Sequence, residues 1–549
     1  MCGSVSNDAG GTDVDAVVVG AGFSGLYMSH RLRELGLSVR VYEKAPDVGG
    51  TWYWNRYPGA RCDSESHIYC YSFSEEIRRE WQWTERYPEQ PEILDYLRFV
   101  ADRLDLRRLI EFETEVESAE FDDGNWTVTT DDGETVDSQF FISAVGCLSE
   151  PYVPEFENRD AFDGEWYHTA RWPREGVDLD GKRVGVIGTG STGIQLVPEV
   201  AERAAHLTVF QRTPNYAVPA RNRPLSDDEW AEITDNYDEI WEDARFSWLG
   251  MPFEMKHATT AGLSDEEIEA ALEERWQEGG FRFLHTFEDT LFNPETNEIV
   301  SEFLREKIRE RVEDPETAEK LVPTDHPYGS KRPPMDYNGY YETFNREDVT
   351  LADVDENPIT EFAPEGIRTT ASLYELDTVI FATGFDAMTG ALMAMDIRGR
   401  DGSVLSEEWA DGPRTYLGLG VDGFPNLFTI TGPQSPAVLS NMPVSIEQHV
   451  DWIADCIEYM RAEGYEYIEP RPEAAERWVS QTNALADQML FSEAESWYRG
   501  ANVPGKPRVF TPFPGGVETY RRECERVVEN GYEGFELSES LDPPAQSAD

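Results

Sequence analysis

Two glycine-rich segments have the residue types and spacing that hold the phosphates of a nucleotide. G-A-G-F-S-G runs from Gly20 to Gly25 and G-T-G-S-T-G from Gly188 to Gly193, each directly after an apolar run. In a G-x-G-x-x-G turn the first glycine allows a tight turn, the second lets the backbone approach a pyrophosphate, and the third lets a helix pack on the strand. We name these segments the first and the second cradle. They predict two dinucleotide sites.

The residue that ends the next apolar run distinguishes the two ligands. After the first cradle this residue is Glu43, whose carboxylate can accept hydrogen bonds from a ribose diol. After the second cradle the sequence is Gln211-Arg212-Thr213, without an acid. A guanidinium suits a 2′-phosphate, so the second nucleotide is predicted to be NADP. With a tightly held flavin at the first site, the chain is predicted to be a flavoprotein that takes hydride from NADPH.

The six cysteines include no C-x-x-C pair. A disulfide reductase needs such a pair near its flavin, and zinc sites use similar spacings, so both classes are disfavoured and no metal is expected. The same cysteine usage indicates a reducing compartment, and we predict a cytoplasmic protein. No signal peptide and no apolar run of membrane-spanning length is visible.

A longer motif follows the first nucleotide unit. F-D-G-E-W-Y-H-T-A-R-W-P resembles the F-x-G-x-x-x-H-x-x-x-W-P pattern of the single-chain Baeyer–Villiger monooxygenases, with its defined positions at Phe162, Gly164, His168 and Trp172. Related flavin monooxygenases that oxidise nitrogen or sulfur usually carry Tyr or Phe at the position of Trp172. The resemblance therefore favours the ketone oxidisers, and it implies that these four residues couple the two nucleotide domains.

Further motifs agree with this family along essentially the whole chain. G-G-T-W-Y-W-N-R-Y-P-G-A-R-C-D at 49–63 resembles its G-G-x-W-x-x-x-x-Y-P-G-x-x-x-D pattern. Others are K-R-P at 331–333, F-A-T-G-F-D-A at 381–387, the segment 432–442, and W-Y-R-G-A-N-V-P-G-K-P-R at 497–508. The late segments are most similar to the phenylacetone, steroid and cycloketone oxidisers.

The resemblance implies an FAD- and NADPH-dependent enzyme that inserts one oxygen atom of O2 beside a ketone carbonyl, through a C4a-peroxyflavin, to give an ester or lactone. Such a site needs a fixed cation beside the peroxide and the developing oxyanion. The resemblance places Arg332 of K-R-P at the flavin face, where it is predicted to supply this cation, because a guanidinium stays charged when desolvated. Asp63 matches the family aspartate that pairs with this arginine and is predicted to orient it.

The resemblance also assigns cofactor contacts. Lys331 is predicted to act with Arg212 at the 2′-phosphate of NADP, and Trp52 and Trp497 to line the flavin and nicotinamide. His168 is interpreted as a domain-coupling residue rather than a general base. The predicted cofactor-binding residues are Gly20, Gly22, Phe23, Ser24, Gly25, Glu43, Lys44, Gly50, Thr51, Trp52, Asp63, Tyr69, Val116, Gly188, Thr189, Gly190, Ser191, Thr192, Gly193, Gln195, Arg212, Thr213, Lys331, Met442 and Trp497.

The elements that must position these residues are of α/β type. We predict two Rossmann-like dinucleotide-binding domains, for FAD and NADP, with a helical insertion. The FAD domain is predicted over 1–150 plus 386–549, the NADP domain over 151–223 plus 325–385, and the insertion over 224–324, where acidic stretches carry apolar residues at helical spacing.

Local patterns refine this outline. Alternation over 120–129 and 134–142 predicts paired strands, and 445–460 and 473–490 are predicted helices. The residues after about 541 are predicted to form a disordered tail.

Charge excludes several partners. The 549 residues carry 47 Lys+Arg against 107 Asp+Glu, a formal net charge of −60. Such a surface repels nucleic acid and anionic membranes, so neither is expected as a partner. Only seven of the cations are lysine. Abundant acid with scarce lysine predicts a protein from a halophilic archaeon, because molar salt screens the repulsion.

Two other functions stay open at this level. One is an N- or S-oxygenating flavin monooxygenase, against which Trp172 and the pair of Asp63 and Arg332 argue. The other is a non-enzymatic protein that binds flavin and NADP, for which that pair would be unnecessary. The expected small-molecule partners are a ketone and O2, and the chain is expected to be a monomer or weak oligomer.

Overall fold

The computed structural model describes residues 12–540; Cys2 and the predicted tail lie outside this range. An eight-stranded sheet contains the strand that precedes the first cradle, Val14–Val19, which lies between parallel neighbours. Residues 16–19 are all buried, as expected of a strand with both faces covered. In spatial order the strands are Asp396–Arg398, Val116–Asp122, Asn125–Thr130, Thr135–Ser143, Val14–Val19, Val39–Glu43 and Ile110–Phe112, with Leu427–Thr429 also pairing Thr135–Ser143.

A second sheet contains the strand that precedes the second cradle. All five of its strands are parallel, and Arg183–Ile187 occupies the centre. The edge strand Glu165–His168 belongs to the F-x-G-x-x-x-H-x-x-x-W-P motif and pairs with Thr378–Phe381. The spatial order is Val349–Asp353, His206–Gln211, Arg183–Ile187, Thr378–Phe381 and Glu165–His168. The predicted α/β fold class is therefore confirmed.

One predicted strand is wrong. The alternation over 120–129 was assigned to a single strand, but the structure divides it into Val116–Asp122 and Asn125–Thr130. The intervening turn, Asp123-Gly124, has φ of +47° and +90°. Positive φ at both positions is the requirement of a tight two-residue hairpin, and Asp-Gly is its usual sequence. The segment therefore forms two antiparallel strands that extend the sheet.

Helices occupy most of the predicted insertion. Two of them begin at Ser226 and Ser264, each of which forms a reciprocal capping box with the glutamate three residues later. Buried residues of this segment share one hydrophobic core with Tyr87 and Tyr498, so the segment packs on the rest of the chain. The α-helices longer than four residues in this segment are Asp227–Asp235, Tyr237–Arg245, Asp265–Glu278, Pro294–Arg311 and Pro315–Leu321, and Gly280–His285 is a six-residue 3-10 helix.

Long helices elsewhere support the two cradles. Phe23–Glu34 follows the first cradle and packs against Met442–Glu463, where the Tyr27 hydroxyl donates to Asp451 at 2.7 Å. Within the described residues no helix is long and apolar enough to cross a membrane. The remaining helices of more than four residues are Glu75–Glu80, Gln90–Arg103, Ser191–Ala201, Pro472–Ala486 and Val517–Glu529.

Candidate active site

The first cradle is formed by close backbone packing that only glycine permits. Gly20 has φ of +103°, and a Cβ on it would lie 2.6 Å from the carbonyl oxygen of Ala144. A Cβ on Gly25 would lie 1.8 Å from the carbonyl oxygen of Gly20. The first and third glycines therefore allow the turn and the helix contact that the motif requires.

The second cradle repeats this geometry in the other sheet. Gly188 has φ of +111°, and its Cβ would lie 2.5 Å from the carbonyl oxygen of Ala382. A Cβ on Gly193 would lie 2.2 Å from the carbonyl oxygen of Gly188. The sequence therefore folds into two equivalent phosphate-binding turns, each opening a helix whose N-terminus attracts anions.

Glu43 ends the strand beside the first cradle, as predicted. Its carboxylate is 5% exposed and accepts hydrogen bonds from the backbone N–H groups of Ala21 at 2.7 Å and Ala45 at 2.8 Å. Burial raises the pKa of Glu43, while the two N–H donors oppose the shift. Each oxygen keeps a further lone pair, so the carboxylate can still accept from a ribose diol.

A cavity of about 340 Å³ extends from the first cradle to Arg332. It also reaches Ser191 and Gln195, on the helix that follows the second cradle, so residues of both nucleotide units line it. The predicted residues that line it are Gly20, Gly22, Phe23, Ser24, Glu43, Lys44, Gly50, Thr51, Trp52, Asp63, Tyr69, Val116, Ser191, Gln195, Arg332, Met442 and Trp497. The predicted residues outside its lining are Gly25, Gly188, Thr189, Gly190, Thr192, Gly193, Arg212, Thr213 and Lys331.

The predicted catalytic pair is assembled at the end of this cavity. Nε of Arg332 donates to Oδ2 of Asp63 at 2.7 Å, and its NH1 donates to the carbonyl oxygen of Val438 at 2.7 Å. Burial alone would lower the pKa of Arg332. The charge and hydrogen bond of Asp63 outweigh this effect, so the pKa of Arg332 lies above its ordinary value. The guanidinium is therefore a permanent, fixed cation.

A second cavity adjoins the other side of Arg332. Arg332 and Ser440 line both cavities, and the rest of the second lining is mainly apolar and aromatic. Phe281 contributes a ring whose centroid lies 4.9 Å from the guanidinium carbon of Arg332. The cation thus lies in the lining of both the cavity that contains the first cradle and a smaller, mainly apolar cavity.

Aromatic residues predicted at the flavin lie in the first cavity. Trp52 is buried and donates its indole N–H to the Tyr69 hydroxyl at 3.1 Å, with the rings packed edge to face. Trp497 lies on the cavity wall beside Tyr498, with ring centroids 4.4 Å apart.

Two cations lie near the second cradle. Arg212 is exposed, and burial together with the charge of Arg212 lowers the pKa of Lys331. Lys331 Nζ lies 3.8 Å from Asp325. Thr189 donates to the carbonyl oxygen of Thr213 at 3.0 Å, which fixes the segment carrying Arg212 to the cradle. A guanidinium held beside a phosphate turn can bind a 2′-phosphate.

The second cradle helix also contacts the first nucleotide unit. The Tyr57 hydroxyl donates to Oε1 of Gln195 at 2.8 Å, and Nε2 of Gln195 donates to the carbonyl oxygen of Arg61 at 3.1 Å. Thr192 lies beside the same hydroxyl. Gln195 thus joins the NADP-side helix to the segment that carries Asp63.

The F-x-G-x-x-x-H-x-x-x-W-P motif is packed at the edge of the second sheet. Phe162 and Trp172 are buried, and a Cβ on Gly164 would lie 2.4 Å from the carbonyl oxygen of Asp377. Nδ1 of His168 accepts from the backbone N–H of Ala170 at 3.1 Å, and burial lowers the pKa of His168 to about 4. With so low a pKa His168 is a weak proton acceptor, and its domain-coupling role stays a prediction.

The sequence analysis missed Phe281, whose signal is the preceding Gly279-Gly280. These glycines have φ of +73° and +64°, and a Cβ on Gly280 would lie 2.0 Å from the Tyr87 hydroxyl. The doubled glycine thus allows a close turn that places Phe281 on Arg332.

No group of three or more His, Cys, Asp or Glu in residues 12–540 is arranged to hold a metal. The five cysteines in the described part of the chain are free and buried.

Comparisons with known proteins agree with this geometry. The pyridine nucleotide-disulphide oxidoreductase family matches residues 17–239, the part that contains both cradles. A Baeyer–Villiger monooxygenase of Pseudooceanicola batsensis is 48% identical over 95% of this chain and 96% of its own length. Phenazine N-monooxygenase PhzNO1 of Lysobacter antibioticus is 44% identical over 97% and 98%.

Among solved structures, OTEMO in complex with FAD and NADP is 42% identical, with a TM-score of 0.93 over 96% of this chain and 100% of that chain. The similarity therefore extends over essentially the full length of the chain and includes the segments that form both cavities. The chain belongs to the Baeyer–Villiger monooxygenase family, whose members depend on FAD and NADPH.

Proposed function

We propose that this chain converts a ketone into an ester or lactone with O2 and NADPH. The balanced reaction is ketone + O2 + NADPH + H⁺ → ester + NADP⁺ + H2O. The observation that carries the proposal is the ion pair of Arg332 with Asp63, in which Arg332 lines both the cavity of the first cradle and the mainly apolar second cavity. FAD, when bound, supplies the redox chemistry that passes electrons from NADPH to O2.

The residues around Arg332 explain how the protein would assist. A ketone bound in the apolar cavity would present its carbonyl oxygen to the guanidinium, which is held by Asp63 and by the carbonyl of Val438. Such a preorganised cation stabilises negative charge that develops on that oxygen. The aromatic and aliphatic lining excludes water, which strengthens this interaction.

The cofactor assignments follow from the two cradles. We infer that FAD occupies the unit formed by 1–150 plus 386–549, and NADP the unit formed by 151–223 plus 325–385, with 224–324 as a helical insertion. The buried carboxylate of Glu43 supports the first assignment, and the cations Arg212 and Lys331 support the second.

The remaining assignments are proposals about setting. A cytoplasmic location fits an NADPH-dependent protein with free cysteines, and a monomer or weak oligomer is our working proposal. The halophilic origin stays a prediction from composition.

The first experiment supplies the purified holoenzyme, in molar KCl, with NADPH, ¹⁸O2 and a panel of linear and cyclic ketones. One labelled oxygen in an ester or lactone is the expected product. Release of hydrogen peroxide alone with every ketone would contradict the proposal. Because one relative is named a phenazine N-monooxygenase, the panel includes phenazine, and an N-oxide as sole product would favour N-oxygenation instead.

The second experiment tests the role of the cation. Arg332→Ala is expected to retain FAD but to lower ester formation by about 100-fold or more, because the oxyanion loses its charged donor. Arg398→Ala, which removes an exposed arginine paired with Asp396, is the matched control and should leave the rate unchanged. Equal ester formation by Arg332→Ala and the wild type would reject the assigned role.

A further inference from the structure

Arg332 is held from three directions. Asp63 and the carbonyl of Val438 take two of its N–H groups, each at 2.7 Å, and the ring of Phe281 lies against the guanidinium at 4.9 Å. Phe281 belongs to a segment of the predicted insertion, whereas Asp63 belongs to the first nucleotide unit. The position of the cation therefore depends on how these two segments are held relative to each other.

A buried ion pair joins the same two segments. Glu65, two residues after Asp63, is 4% exposed, and Arg282, directly after Phe281, donates to both of its carboxylate oxygens, to Oε2 at 3.4 Å. Burial lowers the pKa of Arg282 to about 10, so its guanidinium stays charged at neutral pH. Glu65 lies two residues from Asp63, and Arg282 is adjacent to Phe281. The ion pair therefore constrains the distance between Asp63 and Phe281.

A second arginine joins the same two segments. Arg86 donates to Oε1 of Glu65 from Nε at 3.1 Å and from NH2 at 2.9 Å, and its NH1 donates to the carbonyl oxygen of Glu278 at 2.8 Å. Glu278 directly precedes the Gly279-Gly280 turn, which packs on Tyr87. Arg86 and Arg282 thus share the buried anion and both support the segment that carries Phe281, but only Arg282 is adjacent in sequence to Phe281.

We propose that Glu65 and Arg282 are positioning residues, whose ion pair holds Phe281 and Asp63 on opposite sides of Arg332. The inference rests on the proposed function, because the position of Arg332 matters only if its charge acts on the substrate. Loss of the pair would let Phe281 and Arg332 move apart while both cradles stay intact. The protein would then still oxidise NADPH with O2, but a larger share of the O2 would leave as hydrogen peroxide and less ester would form.

The test compares Arg282→Gln with Arg400→Gln, because Arg400 likewise pairs with a largely buried glutamate, Glu469, but lies outside both cavities. In the FAD-loaded protein we expect Arg282→Gln to lower the ester formed per NADPH consumed at least about fivefold, because small displacements of a catalytic group are costly. Arg400→Gln should stay within about twofold of the wild type, and the KM for NADPH should not change in either variant. Arg282→Lys should restore at least half of the ester yield, because it keeps the charge.

Hydrogen–deuterium exchange of the protein without cofactor gives a readout independent of activity. Peptides covering 280–286 should exchange faster in Arg282→Gln than in Arg400→Gln. The same ester yield and the same exchange in both variants would overturn the inference while leaving the proposed function intact, provided that the wild type forms ester. A wild type that forms no ester from any ketone would instead overturn the proposed function. Phe281→Leu, which removes the aromatic ring without removing a buried charge, should reproduce the loss of ester yield even if Arg282→Gln folds poorly.

Discussion

The middle glycine of the first cradle faces the backbone of a second loop, whereas its counterpart in the second cradle faces open space. A Cβ on Gly22 would lie 3.3 Å from Cα of Gly50, but on Gly190 it would meet nothing within 4 Å among residues 12–540. The charged residues beside the two cradles differ in the same way: Glu43, beside the first, is buried, and Arg212, beside the second, is exposed. The same six-residue pattern thus gives a closed site, suited to a retained cofactor, and an open one, suited to a nucleotide that must exchange.

The strongest test of this comparison places one methyl group at the same point of each cradle. Gly25→Ala and Gly193→Ala each force a Cβ into a backbone carbonyl, at 1.8 Å and 2.2 Å, which costs about 1–3 kcal/mol or more. We expect Gly25→Ala to lose FAD and melt at lower temperature, because its helix packs on Met442–Glu463. We expect Gly193→Ala to keep FAD but not to be reduced by NADPH.

The absorbance ratio of flavin to protein and the rate of flavin bleaching by NADPH measure these two outcomes. If Gly193→Ala also released FAD, the two cradles would not be independent sites. Normal bleaching in Gly193→Ala would show that the close helix contact is not needed for NADPH binding.

A smaller effect is expected from the cations at the open cradle. Arg212→Ala should raise the KM for NADPH about tenfold and leave that for NADH nearly unchanged, because only NADPH carries the 2′-phosphate. Steady-state kinetics with both nucleotides measure this. Arg79→Ala, which removes an exposed arginine paired with Glu75 outside both cavities, is the control and should leave both KM values unchanged. An equal rise for NADH would show that Arg212 contacts another part of the nucleotide.

The sequence predicted the two glycine turns and the pairing of Asp63 with Arg332 because their requirements are local or family-wide. Glycine spacing determines the turn by itself, and the motifs around Asp63 and Arg332 carry the resemblance although 269 positions separate these residues. The turn Asp123-Gly124 was missed although Asp-Gly is a local signal, because the alternation on both sides hid it. The glycine cradles and the Asp123-Gly124 turn are features of backbone geometry, which the residues of a short segment determine.

Contacts between distant segments could not be predicted in this way. The position of Phe281 on Arg332 depends on Gly280 packing under Tyr87 and on Arg282 reaching Glu65, and no pattern in either segment identifies its partner. Gln434 is a further example. It is buried with φ of +63°, and its side chain forms hydrogen bonds with Thr415 and with the carbonyl of Pro413. Both partners lie about twenty residues away, so the residues next to Gln434 in the sequence do not indicate these contacts.

The smallest expected effect concerns pH and again separates the two cradles. Burial raises the pKa of Glu43 above the ordinary 4.5, so the folded protein without FAD keeps this proton to a higher pH than the unfolded chain does. Its contribution to stability is therefore present below the ordinary pKa and is lost as pH rises through the raised one. FAD has the opposite preference, because its ribose hydroxyls donate to the ionised form. FAD should consequently bind more tightly as pH rises, by about threefold between pH 5 and pH 8.

Gln211 ends the corresponding strand beside the second cradle and has no ionisable proton. It therefore adds no pH dependence to nucleotide binding at the second cradle. Fluorescence titration of FAD at several pH values, in the wild type and in Glu43→Gln, measures the effect. The variant should bind FAD less tightly at pH 8 and with a flat pH profile, because the amide offers one acceptor and keeps no ionisable proton. If the profile of Glu43→Gln kept the wild-type slope, another group would control FAD binding, and the buried carboxylate would not distinguish the closed cradle from the open one.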